Sequence, residues 1–273
     1  MVRDITIGQY FPGNSILHKT DPRVKIVLTL VFIFIVFFCK NFFSLGLMVI
    51  SLLLGIVLSR VPIKMILKSM KAIALIIVIT ALLNLFYTTD GKVLLNLKFA
   101  KITDVGIFTA VFMAIRILAL IAGSTLLTYT TTPTMLTDAI ERLLSPLKVF
   151  HVPVHTLAMM MTLALRFIPT LIEEIDKIMN AQKARGADLE SGGLIQRAKA
   201  LVPILIPLFV SSFRRAYELA FAMECRCYTG GDGRTRMKQM KIKGLDAFLI
   251  VGCAVLLGGV IALNILLKAY NLG

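Results

Sequence analysis

Three long stretches of this sequence contain no charged residue, and they constrain the fold more than any other feature. Residues 41–59 form a run of 19, residues 72–89 a run of 18, and residues 247–267 a run of 21. A helix needs about 20 consecutive apolar residues to cross the ~30 Å hydrocarbon core of a bilayer. The chain is therefore predicted to be an integral membrane protein. Its apolar content of 58% agrees, because soluble domains contain about 45–50%.

Two further stretches complete the predicted set of spans. Residues 26–39 are a run of 14 uncharged residues between Lys25 and Lys40, and both lysines are long enough to snorkel to the membrane surface. Residues 105–127 form a span with Arg116 near its middle. Lysines and arginines are concentrated before the first span and after the second, so the positive-inside rule places the N-terminus in the cytoplasm. Five spans result.

The interval between the fourth and fifth spans has a different pattern. It predicts helices over residues 133–147, 154–183 and 194–227, of which the two long ones begin apolar and end amphipathic. Their uncharged runs are short and contain prolines, so these helices are predicted to lie at or beneath the membrane surface. Crossing of the membrane by both long helices would preserve the sidedness of the chain ends and stays open as the alternative.

These patterns predict an all-α membrane protein with about five transmembrane helices and a cytoplasmic coupling domain of about three long amphipathic helices. The predicted domains are a cytoplasmic N-terminal segment (1–25), transmembrane helices 1–4 (26–129), the coupling domain (130–244), and the last transmembrane helix with a short external tail (245–273).

Both long helices of the interval end in an arginine that stands between small residues. The first ends in Ala184-Arg185-Gly186 and the second in Cys225-Arg226-Cys227. A guanidinium offers five donors in a fixed fork and can hold a carboxylate through two hydrogen bonds. Two such ends predict docking into a pair of related soluble subunits. The plainer interpretation is that each cation complements the negative end of its own helix.

Other residue patterns favour structural roles over chemistry. His151 and His155 are four residues apart, but Pro153 lies between them and no third metal ligand is close. Cys225 and Cys227 also lack partners at metal-ligand spacing. The run Met159–Met161 is more typical of an adaptable packing surface than of a soft metal site.

Two function classes are disfavoured by the sequence. The only Gly-Lys pair, Gly91-Lys92, is followed by valine, so the chain has no Walker A sequence for nucleotide hydrolysis. The net charge of +15 would suggest nucleic acid in a soluble protein. Here the excess of lysine and arginine lies beside the spans, as membrane orientation requires.

Several segments, in this order, resemble the transmembrane T component (EcfT) of energy-coupling factor transporters, a class of ABC transporter. They are Leu-His-Lys-Thr-Asp-Pro-Arg-Val-Lys at 17–25, Leu-Arg-Phe-Ile-Pro at 165–169, Ala-Arg-Gly at 184–186, Arg-Arg-Ala-Tyr-Glu at 214–218, Ala-Met-Glu-Cys-Arg-Cys-Tyr at 222–228 and Gly-Arg-Thr at 233–235. The resemblance covers essentially the whole chain. It departs at the second arginine motif, which is often Ala-Arg-Gly in the family and here has cysteines around the arginine.

The resemblance implies a set of partners and a place for each. Two cytoplasmic ABC ATPase subunits, which bind the ATP and Mg, would each receive one arginine-tipped coupling helix. The residues expected to dock there are Ala184, Arg185, Gly186, Cys225, Arg226 and Cys227. A separate membrane subunit, the S component, would bind the vitamin or metal ion. The expected contacts with it are Met159, Met160, Met161, Leu163, Pro203 and Pro207.

As the resemblance implies, the chain itself would be a multi-pass scaffold in the cell membrane, with no cofactor, no nucleic-acid partner and no catalysis of its own. A membrane-embedded enzyme using Glu173 or Glu174, and a stand-alone secondary transporter using Arg116, remain the alternatives. For Arg116 the favoured interpretation is a structural one. Helix carbonyls, or a polar side chain such as Asn84 or Thr80, would satisfy its charge.

Overall fold

A computed structural model describes residues 10–87, 93–97, 100–187, 193–230 and 242–267. The Gly-Arg-Thr segment at 233–235 and the predicted external tail after residue 267 lie outside these residues. The chain divides into two compact units. The first comprises residues 8–139 and 239–273 and is called the bundle unit here; the second comprises residues 140–238 with the first seven residues and is called the helix-pair unit.

The described residues are almost all helical, which confirms the predicted fold class. The helices of the bundle unit are α1 (Ile16–Lys19), α2 (Pro22–Phe38), α3 (Phe42–Ser59), α4 (Ile63–Tyr87), α5 (Asp104–Thr130) and α9 (Gly244–Leu266). A short hairpin of β1 (Val93–Leu97) and β2 (Ala100–Thr103) pairs antiparallel between α4 and α5. The sequence predicts only a loop between these two helices.

The interval that was predicted to hold three helices does contain them. They are α6 (Pro133–Leu144), whose last five residues lie in the helix-pair unit, α7 (Val154–Ala184) and α8 (Leu194–Glu224). A 3₁₀ helix, Ser145–Phe150, connects α6 to α7. The assignment of residues 130–244 to a cytoplasmic domain stays a prediction, because the compact units carry no information on the side of the membrane.

Among the described residues, five helices are long and apolar enough to cross a membrane: α3, α5, α7, α8 and α9. Helix α4 would be a sixth, with a bend of 58° between Ile63–Lys71 and Ile73–Tyr87. On length and composition α7 and α8 are therefore candidate spans, which keeps the alternative of two additional spans open, and their place at or beneath the membrane surface stays a prediction. The expectation that they are poor spanning segments had a simple origin. It counted only uncharged runs, whereas each helix has an apolar window that tolerates one or two charges.

Helix α2 is short for a span, and its ends are bound by neighbouring helices. Its 17 residues extend about 26 Å at 1.5 Å per residue, less than the ~30 Å of the hydrocarbon core. The unpaired backbone groups of such a helix would lie near the apolar region, where leaving them unsatisfied is costly. Three side chains from α5 and α9 bind these end groups, and Lys25 of α2 binds the end of α5 in turn. Together we call them the α2 clamp: Lys25, Arg116, Asp246 and Asn264.

At the start of α2, the clamp joins three helices. Asp21 caps the helix by accepting from the backbone N–H of Arg23 at 3.0 Å. The fully buried carboxylate of Asp246, in the first turn of α9, accepts from the backbone N–H of Asp21 at 2.9 Å. The ammonium group of Lys25 donates to the carbonyl oxygen of Thr130 at 2.9 Å, at the C-terminal end of α5. This end of α2 is therefore tied to both α5 and α9.

At the other end of α2 the donors come from α5 and α9. The guanidinium of Arg116 donates to the carbonyl oxygen of Cys39, and its carbon lies 4.6 Å from the ring centroid of Phe112. The amide of Asn264 donates to the carbonyl oxygen of Phe38 at 2.7 Å. As the structural interpretation predicted, Arg116 binds a carbonyl at a helix end, while its buried Nε has no hydrogen-bond partner among the described residues. Asn84 is not its partner, since that amide donates to the carbonyl of Thr80 within α4 at 2.9 Å.

The close approach of α2 and α5 depends on a glycine. Gly123 lies in α5 opposite Phe32 of α2, and a Cβ atom at this position would lie 2.6 Å from Cε1 of that ring. Phe32 packs against both buried clusters of the bundle unit, one around Val36 and Met48 and the other around Ala122. The absence of a side chain at Gly123 therefore lets the antiparallel helices α2 and α5 stay in contact along the length that the clamp joins.

Candidate functional site

The two arginine-tipped helices pack against each other in antiparallel directions. Gln182 near the end of α7 donates to the carbonyl of Pro203 near the start of α8, at 3.4 Å. In the middle, Arg215 donates to Glu174 at 2.9 Å. The hydroxyl of Tyr228, just beyond α8, donates to the sulfur of Met159 near the start of α7, at 3.1 Å. Along these three contacts the residue number falls in α7 while it rises in α8, so the two helices run antiparallel.

This arrangement places the two arginines at opposite ends of the helix pair. Arg226 lies at the end where α7 begins, beside Met159, whereas Arg185 lies where α7 ends. About 26 residues of α7 separate the two ends, which corresponds to a separation of up to about 40 Å at 1.5 Å per residue. The sequence predicted two docking ends but not their separation. Two ends so far apart suit two separate partner surfaces better than one.

The end of α7 is closed by a Schellman motif, which satisfies the last carbonyls with backbone donors. The N–H of Gly186 donates to the carbonyl of Lys183 at 3.0 Å, and the N–H of Ala187 donates to the carbonyl of Gln182 at 3.0 Å. Gly186 adopts a left-handed conformation with φ of 84°, which glycine reaches without steric cost. The predicted helix stop at this glycine is confirmed.

The end of α8 is closed in the same way. The N–H of Cys227 donates to the carbonyl of Glu224 at 2.8 Å, and the N–H of Tyr228 donates to the carbonyl of Met223 at 3.0 Å. Cys227 takes the place of the left-handed glycine, with φ of 55°. Arg226 and Arg185 therefore occupy the same position in the same motif, one residue before the left-handed residue. The cysteines that depart from the expected motif leave its geometry unchanged.

All six residues of the two arginine motifs are exposed. Among the described residues, neither Arg185 nor Arg226 has a side-chain hydrogen bond or an ion pair. Because the Schellman motifs already satisfy the helix-end carbonyls, the guanidinium groups are free to bind an external acceptor. The geometry can hold a carboxylate or a carbonyl cluster of another protein at each end.

The residues expected to contact the S component do not form one surface. Met159, Met160, Met161 and Leu163 lie in the first half of α7, and Pro203 and Pro207 lie in the first half of α8. The antiparallel packing puts these two halves at opposite ends of the pair. Met160 and Met161 are exposed, whereas Met159 is in contact with Tyr228. The contact role of these residues stays a prediction.

Two of the candidate catalytic and metal-binding residues, Glu174 and His155, are engaged in local contacts. Glu174 accepts from both Arg215, at 2.9 Å, and the hydroxyl of Ser211, at 3.3 Å. His155 contacts Glu141 at 3.2 Å, which links α6 to the start of α7. Within the described ranges, no group of three or more histidines, cysteines and acidic residues could hold a metal ion. These contacts favour structural roles for the residues concerned.

Sequence reasoning missed an apolar stripe on α8 that has no partner among the described residues. Its members are spaced by three or four residues, and each is at least 60% exposed: Ile206, Phe209, Phe213, Tyr217 and Phe221. The 3.6-residue period was a detectable signal. Prolines and charged residues lie between the members of the stripe, and they mask its period in the sequence.

Comparison with known proteins fits this geometry. Residues 13–238 match the family model described as cobalt transport protein, CbiQ. The energy-coupling factor transporter transmembrane protein EcfT of Clostridium kluyveri is 55% identical over 258 residues, which cover 94% of this chain and 95% of that protein. The EcfT protein of Ruminiclostridium cellulolyticum is 53% identical, with 93% and 95% covered, and that of Bacillus subtilis 45%, with 94% and 97% covered. The chain belongs to the EcfT family.

Family membership establishes the kind of complex in which the chain works. The chain is a transmembrane component of an energy-coupling factor transporter and works in transport as one subunit of a complex. The expectation drawn from the resemblance is confirmed at this level. Of the α2 clamp, Lys25 lies in the EcfT-like segment at 17–25, and so does Asp21, whose backbone N–H binds Asp246. In this chain the segment at 17–25 links α2 to α9 through Asp21 and to α5 through Lys25.

Proposed function

We propose that this chain couples ATP hydrolysis in two cytoplasmic ATPase subunits to reorientation of a separate substrate-binding membrane subunit, and so drives uptake of a vitamin or another micronutrient. The observation that carries the proposal is the pair of equivalent, exposed arginine ends. Arg185 and Arg226 occupy the same position in two Schellman motifs at opposite ends of one helix pair.

The separation of the two ends supports two ATPase subunits rather than one. Closure of two ATPases on ATP changes the distance between them, and a rigid helix pair that touches each at one end would be moved by that change. The α7–α8 pair has the internal contacts that such rigidity requires, notably the Glu174–Arg215 ion pair of 2.9 Å. ATP and Mg would be bound by the partner subunits, and this chain would have no catalytic activity of its own.

The exposed stripe of α8 supports a contact with the substrate-binding subunit. Phe209, Phe213 and Tyr217 are 60%, 68% and 81% exposed, and aromatic residues are enriched at protein interfaces. A partner that slides on this surface would meet apolar groups without fixed hydrogen bonds, which suits a subunit that changes orientation. We propose the stripe as the main part of this contact, with the exposed methionines of α7 beside it.

The proposed location is the cell membrane, with the N-terminus and residues 130–244 in the cytoplasm. The support is the concentration of lysine and arginine before the first span and after the second. Cytoplasmic ATPases require this orientation, because the arginine ends can meet them only on that side.

Charge reversal at the two ends tests the proposal. In cells that co-express the chain with its ATPase and substrate-binding subunits, Arg185→Glu and Arg226→Glu should each reduce ATP-dependent uptake at least about tenfold, since truncating one partner of a charged contact costs about 2–5 kcal/mol. ATPase subunits should co-purify with the tagged variant in smaller amounts. Matched reversals at exposed cations of the same helices, Lys177→Glu and Arg214→Glu, should leave both readouts near the wild-type value.

Normal uptake and co-purification in both arginine variants would overturn the proposal. The alternatives make different predictions from the same preparations. A stand-alone secondary transporter would take up substrate when the purified chain alone is placed in liposomes. A membrane-embedded enzyme would show activity as a single purified chain, and that activity would fall on substitution of Glu173 or Glu174.

A further inference from the structure

Three lysines in the first turns of α4 follow an arginine at the end of α3, and we call these four cations the basic ridge: Arg60, Lys64, Lys68 and Lys71. Within α4, the spacings of four and three residues place Lys64, Lys68 and Lys71 within about 60° of one another around the helix axis. Arg60, with φ of 54°, ends α3 just before them. All four side chains are exposed. Nothing in the proposed coupling function uses this ridge.

The opposite face of the same segment is fixed in the core of the bundle unit. Val61 and Ile66 are 4% and 3% exposed and belong to a buried cluster with residues of α3 and α5. The hydroxyl of Tyr129, in α5, donates to the carbonyl of Met65 at 3.2 Å. The segment therefore cannot rotate to bury its lysines, and the basic ridge is held outward.

The direction of the segment also differs from that of the span which follows it. Ile63–Lys71 is bent by 58° from Ile73–Tyr87, and only the second part is free of charge. When Ile73–Tyr87 lies across the bilayer, the bend turns the basic segment toward the membrane plane. Ile63 and Leu67, which are 64% and 57% exposed, lie beside the ridge and present apolar surface to the same region. Cationic residues above exposed apolar ones are typical of helices that lie in the headgroup layer.

The chain segment that carries the ridge has only positively charged residues. The sequence contains no aspartate or glutamate between Asp21 and Asp90. Within the described part of the chain, none of the four cations has an ion pair or a side-chain hydrogen bond. Their charge is therefore not compensated by the neighbouring helices, and it calls for an anionic ligand from outside.

We propose that the basic ridge binds the phosphate groups of anionic phospholipids, with the acyl chains against Ile63 and Leu67. A general preference for positive residues on one side of the membrane explains the number of cations. It does not explain the alignment of Lys64, Lys68 and Lys71 on one face of α4, opposite a face that is fixed in the core through Ile66. The inference is independent of the coupling function, because it concerns a different unit and a different ligand.

Lipid retention by the purified full-length chain tests this inference. Native mass spectrometry after equilibration with equal amounts of phosphatidylglycerol and phosphatidylcholine should show preferential retention of phosphatidylglycerol. Each lysine near an anionic surface is worth about fivefold in binding, so the variant Lys64→Gln/Lys68→Gln/Lys71→Gln should lose at least about tenfold of this preference. The control Lys148→Gln/Lys177→Gln/Lys199→Gln removes the same charge from exposed lysines of the helix-pair unit and should change it less than about twofold.

A second measurement needs no variant and so does not depend on the folding of one. Phosphatidylglycerol with a photoreactive group in its acyl chain should label the wild-type chain at Ile63 or Leu67, and the matching phosphatidylcholine should label these residues much less. Equal retention of the two lipids, an unchanged preference in the ridge variant, or equal labelling by both probes would overturn the proposal. Labelling of an acidic protein through the ridge in membranes, with no lipid preference, would overturn it in favour of a protein partner.

Discussion

Cations stand at helix ends in both units of this protein, but they do different things there. In the bundle unit, Lys25 and Arg116 donate to the C-terminal carbonyls of a neighbouring helix and become part of its cap. In the helix-pair unit, Arg185 and Arg226 lie at the ends of their own helices, where Schellman motifs already satisfy the carbonyls. Where backbone N–H groups already satisfy the last carbonyls of a helix, a nearby cation is free to bind another protein. Where they do not, the cation binds those carbonyls within the chain.

Removing a cation of each kind should separate the two roles most strongly. Arg116→Ala leaves the carbonyl of Cys39 without its donor and removes the guanidinium from Phe112. An unsatisfied buried carbonyl costs about 1–3 kcal/mol, so the free energy of unfolding should fall by about that amount. It can be measured by denaturant titration in detergent micelles.

The matched variant is Arg185→Ala, which removes an equal charge from a helix end that caps itself. Only its interaction with the helix dipole is lost, about 0.3–1 kcal/mol. Equal losses of stability in the two variants would break the comparison. It would mean that Arg185 has an internal partner or that the contact of Arg116 with Cys39 contributes little.

A smaller effect is expected where α2 and α5 touch. Gly123→Ala places a methyl group 2.6 Å from the ring of Phe32, and relief of that overlap should cost about 1–2 kcal/mol net of the higher helix propensity of alanine. Gly258→Ala in α9 meets no atom within 4 Å and should stabilise the chain slightly. Thermal unfolding in detergent checks both changes. If Gly123→Ala were as harmless as the control, the clamped ends of α2 would not require close contact between the helices.

The smallest effect sharpens the comparison within the helix-pair unit itself. Cys227 adopts the left-handed conformation with a φ of 55°, at a cost of about 1 kcal/mol relative to glycine. Cys227→Gly should therefore raise the free energy of unfolding by about 1 kcal/mol, and Gly186→Ala, at a φ of 84°, should lower it by a similar amount. Co-purification of partner subunits should stay normal in both, since each arginine remains exposed. Destabilisation by Cys227→Gly would show that the thiol has a role in closing the helix.

The local parts of the fold could be predicted from the sequence. The three helices after residue 130 begin within one residue of their predicted starts, because Pro133, Pro153 and the glycines before Leu194 are strong boundary signals. The end at Arg185 was also identified, since glycine after an arginine predicts a helix stop, and the end at Arg226 was identified as its counterpart between two small residues. These features depend on a few neighbouring residues, which a single sequence contains.

The parts that could not be predicted depend on contacts between distant residues. Asp246 binds the backbone of Asp21 across a separation of 225 residues, and no local pattern marks the pair. The antiparallel direction of α7 and α8 likewise follows from contacts such as Tyr228 with Met159. Whether α7 and α8 cross the membrane was left open by the sequence, because charges and prolines interrupt apolar windows that are long enough to cross a bilayer.

The most direct test of the central claim is to find what touches the two arginine ends in the assembled transporter. A photoreactive amino acid at position 184 or at position 225, each next to an exposed arginine, can be activated in membranes that contain all subunits. The account predicts a crosslink to an ATPase subunit from each position, with the two positions reaching two different ATPase copies. Crosslinks to lipid alone, or no crosslink from either position, would contradict it.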